Sequence, residues 1–284
     1  MKRRRKKKGL PIVPTASLAG FALLRAAMLA LSPGPGIRLA AEWAGTVLFA
    51  VLAALFGLFY LEGDRSSLLP PGAPEAKHIR ADVRLGALLP FPFLLFSALV
   101  RRLIPGEAAV PAALFLPALL LYALAVPVGR ALLERGLLAG ELSGWPRRLV
   151  PSAFFALTGG AANEAPARFF LALILQEISD RQDSLLCSIL VHASFGAAAT
   201  LLSASGLARW LSAGSLPGSA LLLAGSVLAW RALLAAMKLS PCARPLEPAP
   251  ERRLRRREAA LLLAAPIFVL AATFFSVWML SGEA

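Results

Sequence analysis

His192 is the residue whose chemistry stands out first. It lies inside an apolar stretch, Phe169 to Ser203, reading FFLALILQEISDRQDSLLCSILVHASFGAAATLLS. The pattern predicts two apolar helices joined by a polar turn, Ser179 to Asp183, with Gln176 and Glu177 in the first helix and His192 in the second. A charged group at membrane depth costs about 2.5–3.5 kcal/mol on insertion scales, so it usually faces protein or a wet cavity. His192 falls eight residues after Ser184, roughly 12 Å along the helix. An imidazole there either takes part in chemistry or hydrogen-bonds a neighbouring helix. Its sequence context leaves both readings open.

The other chemistry-bearing residues have structural alternatives of at least equal weight. Glu177 and Arg181 stand four apart, so they share a helix face and can pair, either at a site or as a salt bridge that settles a helix end. Glu134 and Arg135 are adjacent, do not face one another on a helix, and read as solvated interfacial charges. Cys187 precedes His192 by five residues, about 140° around the helix, which is poor geometry for a Cys-His nucleophile pair. His78 is a lone histidine in an expected loop and reads as solvated. Metal-dependent hydrolysis typically needs three protein ligands and a carboxylate base around an open site. One histidine in the apolar segments is too few, which argues against a working metalloprotease.

The elements that must position these residues are membrane spans. The chain has 284 residues, 58% hydrophobic and 16% charged, with a mean hydropathy of +0.69. Too little polar surface remains to cover a soluble domain of this length. Repeated apolar runs of about 18 residues or more predict an all-α, polytopic transmembrane bundle of about eight or nine spans. The net charge of +14 lies in tails and loops beside those runs, as the positive-inside rule requires. No basic stripe alternates with aromatics, so nucleic acid is not an expected partner. Cys187 and Cys242 lack CxxC spacing and fall in different environments, which supports neither a disulfide nor a zinc or redox site. Few lysines beside abundant Ala, Leu, Gly, Pro and Arg point to a GC-rich bacterial genome.

In chain order, residues 1–8 form a basic tail expected on the anionic, cytoplasmic side. Residues 9–128 hold the N-terminal spans, at Leu10 to Leu31, Leu39 to Leu61, Leu85 to Val100 and Ala108 to Val128. The first lacks a convincing A-x-A cleavage site and reads as a retained helix. Prolines 111, 117 and 127 should kink the fourth. Residues 129–205 comprise an amphipathic segment, Gly129 to Val150, a short span from Val150 to Ala162, and the two helices around His192. Residues 206–284 hold spans at Leu216 to Met237 and Glu258 to Leu280, separated by the basic loop 238–257. A cytoplasmic N-terminus puts the tail, the Arg130–Arg148 segment and the Arg252–Arg257 run inside, with Arg101-Arg102 outside. That orientation implies a multi-pass protein of the cell inner (plasma) membrane.

The segment from Phe169 to Gly196 resembles the third motif region of the CPBP family, the CAAX proteases and bacteriocin-processing enzymes. Members show an apolar helix and then a pattern like LxxRTGSLLAPILLHAxxN. In this chain the register matches at Arg181, Ser184-Leu185, Ile189-Leu190 and His192-Ala193, with Gly196 where the family has asparagine. The family's first motif, EExxxR before glycine, falls on Arg130 to Gly136, where Arg135 and Gly136 match and both glutamates are missing. Its second, FxxxH, falls near Phe154-Phe155, with Thr158 or Gly159 in place of the histidine. The resemblance covers roughly Gly129 to Ser203.

Membership would imply an all-helical intramembrane fold whose polar cavity opens within the bilayer. In active members a glutamate and histidines, with zinc or another divalent metal, hydrolyse a peptide bond near a membrane-associated C-terminus. Here the resemblance implies a pseudo-protease that binds a membrane peptide, lipid or partner protein, with His192 and Arg135 as the retained motif residues. The alternative is an active, divergent endopeptidase using Glu134, Glu177 or Glu164 in place of the missing pair. A third reading is a transporter or channel component with Arg25, Glu42, Glu177, His192 and Arg231 along a path, although the sequence shows no internal repeat.

Overall fold

Proline and glycine cut the middle of the chain into helices of unequal length. The computed structural model describes residues 75–100, 114–131, 134–135, 139, 144–158, 165–182 and 184–239. Among these every regular element is helical and no strand occurs. The helices are α1 (Ala76–Leu88), α2 (Pro90–Val100), α3 (Phe115–Leu120), α4 (Val126–Arg130), α5 (Trp145–Thr158), α6 (Ala165–Gln182), α7 (Leu185–Ala204), α8 (Leu207–Ser212) and α9 (Leu216–Met237). Two of them, α7 and α9, are long and apolar enough to cross a membrane. The expected spans at Leu10 to Leu31, Leu39 to Leu61 and Glu258 to Leu280 lie outside the described residues, as do Arg25, Glu42, Glu164 and Cys242.

Helix α7 is the axis of the described part. On one side α1 packs along it, with Asp82 beside Cys187 and Gly86 against Val191, Ser194 and Phe195. On another side the α3–α4 stretch reaches it at Gly196, which abuts the Tyr122 carbonyl. That contact falls in a widened turn, Leu121–Ala125, of π-helical form. Pro127 has no N–H to return to the carbonyl four residues earlier, which favours such a local change of hydrogen bonding. Helix α6 lies along α5, and α9 closes the bundle against α1 and α2. The shared core draws Leu85 and Leu89 from α1 and its turn, Phe155 from α5, Leu171, Leu175 and Ile178 from α6, Val191 from α7 and Leu233 from α9.

Local chemistry accounts for the ends. Ser215 caps α9, its hydroxyl accepting from the Gly218 N–H at 3.2 Å, and Pro217 fits the first turn, where no N–H is needed. Gly206 and Gly214 hold positive φ on either side of the short α8, a backbone that favours glycine.

Three expectations are corrected. The region to Arg84, taken as a loop, is helical from Ala76, because α1 buries His78, Asp82 and Leu85 on one face and exposes Lys77, Arg80 and Arg84. The predicted third span is broken at Leu89, where Pro90 starts α2. The expected turn from Ser179 is helical to Gln182, held by i,i+4 contacts between Gln176 and Asp180 (3.0 Å) and between Glu177 and Arg181 (2.6 Å).

Candidate functional site

A buried, charged cluster forms where α4, α5 and α7 meet. Arg130 ends α4 and Glu134 follows four residues on, so both fall on one helical face. Their side chains pair at 2.8 Å and are 7% and 2% exposed. Arg130 also donates to the Phe155 carbonyl at 3.3 Å. Its guanidinium lies 4.7 Å over the Phe155 ring, and that of Arg135 lies 5.9 Å from the same ring. The His192 ring packs against Phe155 from the other helix, with centroids 5.4 Å apart. Arg135, Arg130 and Arg168 are all within electrostatic range of that imidazole. Phe155 therefore lies against two expected site residues, His192 and Arg135, and a third, Glu134, joins through its pair with Arg130.

Glu134 and Arg135 were expected to be solvated; they are buried, at 1% and 6% exposure. The reason is their partners. Glu134 is paired with Arg130, which donates to the Phe155 carbonyl of α5, so the pair is held inside instead of facing water. Both residues lie beyond the apolar stretch, which ends at Arg130. Burial pushes the Glu134 carboxyl up, against the opposing pull of Arg130 and Arg135. Burial likewise pushes Arg135 down to about 10. Among the described residues, Glu134 Oε2, Arg135 Nη1 and His192 Nδ1 are buried atoms of this cluster without a hydrogen-bond partner. Similar orphans occur elsewhere in the described residues, at Ser152 Oγ and Gln176 Oε1 among others, and each is a place for a water, an ion or a ligand.

Glu177 does not join them. It pairs with Arg181 and, at 3.3 Å, with Arg148 of α5, beside an Arg147–Asp180 bridge at 2.9 Å. This is the structural salt-bridge alternative weighed above. Arg231 is exposed on α9, away from the cluster. Arg130, Arg168 and the ring of Phe155 were not singled out as site residues from sequence. The i,i+4 spacing of Arg130 and Glu134 is the signal that could have found the first.

A second polar cluster sits at the start of α7. His78, expected to be solvated, is 1% exposed, and Asp82, one turn later, is 0% exposed. Gln182 donates to Asp82 at 3.0 Å and to the Ala236 carbonyl at 3.4 Å, tying α1, α6 and α9 together. The Cys187 thiol also hydrogen-bonds Asp82. Burial pushes the Asp82 carboxyl up, against these hydrogen bonds and the charge of His78. Among the described residues no three of His, Cys, Asp and Glu are grouped to hold a metal ion. Cationic guanidiniums around His192 add electrostatic opposition to a divalent cation, so the residues present do not fit the zinc that the resemblance would bring.

No family model matches the chain, and no curated protein or solved structure matches it.

Proposed function

We propose that this chain is a multi-pass inner-membrane protein with a CAAX-protease-like scaffold, which binds a membrane-associated ligand at the His192 cluster and does not hydrolyse it. The observation that supports the reading is the convergence of Arg130, Arg135 and His192 on Phe155, with Glu134 paired to Arg130. His192 and Arg135 both lie against Phe155, and the guanidiniums beside His192 oppose a bound metal cation. The carboxylate present is engaged by Arg130 at 2.8 Å, which opposes its use as a general base. The N-terminus would be cytoplasmic and the basic loops would face an anionic leaflet.

The alternative, an active divergent endopeptidase, draws support from Glu134 Oε2, a buried carboxylate oxygen without a partner in the same cluster. Glu177 does not serve it, being paired elsewhere. One experiment separates the two. The purified full-length protein, reconstituted in liposomes, is incubated with membrane-anchored peptides, with and without added zinc, and products are followed by mass spectrometry. No turnover in either condition is expected. Cleavage that disappears in both His192→Ala and Glu134→Gln overturns the non-catalytic reading.

A further inference from the structure

We propose that the exposed face of α1 is a docking surface for anionic lipid headgroups of the cytoplasmic leaflet, with Arg80 and Arg84 taking the phosphates. The proposal rests on the membrane placement argued above and is independent of the His192 cluster.

The pattern along α1 is the first ground. His78, Asp82, Leu85 and Gly86 form its buried face. Ile79 and Val83 are 40% and 41% exposed and continue to the exposed Ala87 as an aliphatic row. Arg80 follows Ile79 and Arg84 follows Val83, both exposed, so the arginines form a second row about 100° further round the helix. A cationic row beside an open aliphatic row suits a helix at the boundary between headgroups and acyl chains. The arginine stems can rest on the aliphatic side while their guanidiniums reach the phosphates.

Charge is the second ground. Between α5 and α6 the arginines have carboxylates: Arg147 meets Asp180, and Arg148 and Arg181 meet Glu177. Among the described residues, Arg80 and Arg84 have no such partner. Asp82 stands two residues from each, about 200° round the helix, and is buried against Gln182. Glu75, at the helix start, pairs with Lys77 at 2.8 Å. Guanidinium donors are spaced to meet two oxygens of one phosphate. An anionic headgroup keeps its net charge, whereas a zwitterionic one offsets it with its own cation, and the cytoplasmic leaflet is the anionic one. The aliphatic row favours a lipid over an acidic protein, because phosphate and hydrocarbon then come from one molecule.

The test uses the full-length protein in nanodiscs of equal phosphatidylglycerol and phosphatidylcholine. Lipid retained on the re-purified protein is counted by mass spectrometry. Enrichment of phosphatidylglycerol over the disc composition is expected, with affinity falling roughly five-fold for each arginine removed. The double variant Arg80→Gln with Arg84→Gln should therefore lose most of the enrichment. Arg209→Gln with Arg231→Gln removes the same charge from exposed positions on α8 and α9 and should retain it. No enrichment in the wild type overturns the proposal, as does an equal loss in the two double variants, which would report net charge alone. Melting temperature in detergent checks that the variants fold. Should the α1 pair not fold, the single variants replace it. If those also fail, the wild type decides: enrichment undiminished at about 1 M salt, where screening acts within about 3 Å, overturns the proposal. Retention of an acidic protein through these two arginines, with phosphatidylglycerol ineffective, also overturns it. Peptide cleavage in the liposome assay would remove only the non-catalytic reading, so the two failures are distinct.

Discussion

Glu134 depends on one neighbour for its place in the interior. Its side chain is 2% exposed and Arg130 meets it at 2.8 Å. Removing one member of a buried pair strands the other, at a cost of roughly 3–5 kcal/mol. Arg130→Met should therefore destabilise strongly, and adding Glu134→Gln should recover a large part of the loss; chemical unfolding of the four proteins of the cycle measures it. Additive losses would mean the pair is not coupled. Asp82 gives a pH-dependent counterpart. Its folded pKa is raised above 3.8 by burial, so the unfolded chain gives up the proton first. As pH rises from about 4 towards the folded value, the folded state holds the extra proton and stability falls. Asp82→Asn should remove that slope and be at least as stable as the wild type at neutral pH. Melting curves from pH 4 to 8 check it; parallel curves for the two proteins would contradict the raised value. Residue chemistry in these clusters was legible where spacing alone decides it, as for Glu177 with Arg181. Burial was not, because the helices that pack on the one carrying His78, α7 and α9, lie far along the chain.

At the scale of elements, α7 is pinched between two close approaches. A side chain at Gly86 would overlap Ser194 Oγ and the Val191 carbonyl, and one at Gly196 would overlap the Tyr122 carbonyl. Small residues at such crossings let backbones approach, which membrane helices exploit. At Gly196 the widened turn Leu121–Ala125 occupies the space that a side chain would need. Gly196→Asn should destabilise the protein, by about 1–3 kcal/mol or more for an overpacked site, and lower its melting temperature in detergent. An unchanged melting temperature would mean that the turn yields freely. Helix α9 was read from its apolar run with the ends the structure has, Leu216 and Met237. Helix α1 was missed because its buried face carries His78 and Asp82, so no apolar period announces it.

On the scale of the whole molecule, one set of polar contacts among the described residues marks an end of the bundle. Arg147 and Arg148 of α5 meet Asp180 and Glu177 of α6, and Gln182 joins Asp82 of α1 to Ala236 of α9, beside Lys238. The exposed Lys77, Arg80 and Arg84 of α1 belong to the same end, since Asp82 of that helix is there. The far end of α7, twenty residues on, leads through Ser205 into α8, about 30 Å away at the helical rise. Positive charge is retained on the cytoplasmic side, so the Lys238 end should face the cytoplasm and Ser205 the opposite side. Labelling of single cysteines with a membrane-impermeant maleimide tests this, in a background lacking Cys242 and with the buried Cys187 left in place. Ser205→Cys should react in intact spheroplasts, and Lys238→Cys only after permeabilisation. The reverse pattern would invert the orientation. Reaction of both positions from one face would mean that α7 and α9 do not traverse the bilayer, leaving the His192 cluster inside a water-soluble bundle and removing the membrane from the reading of its ligand.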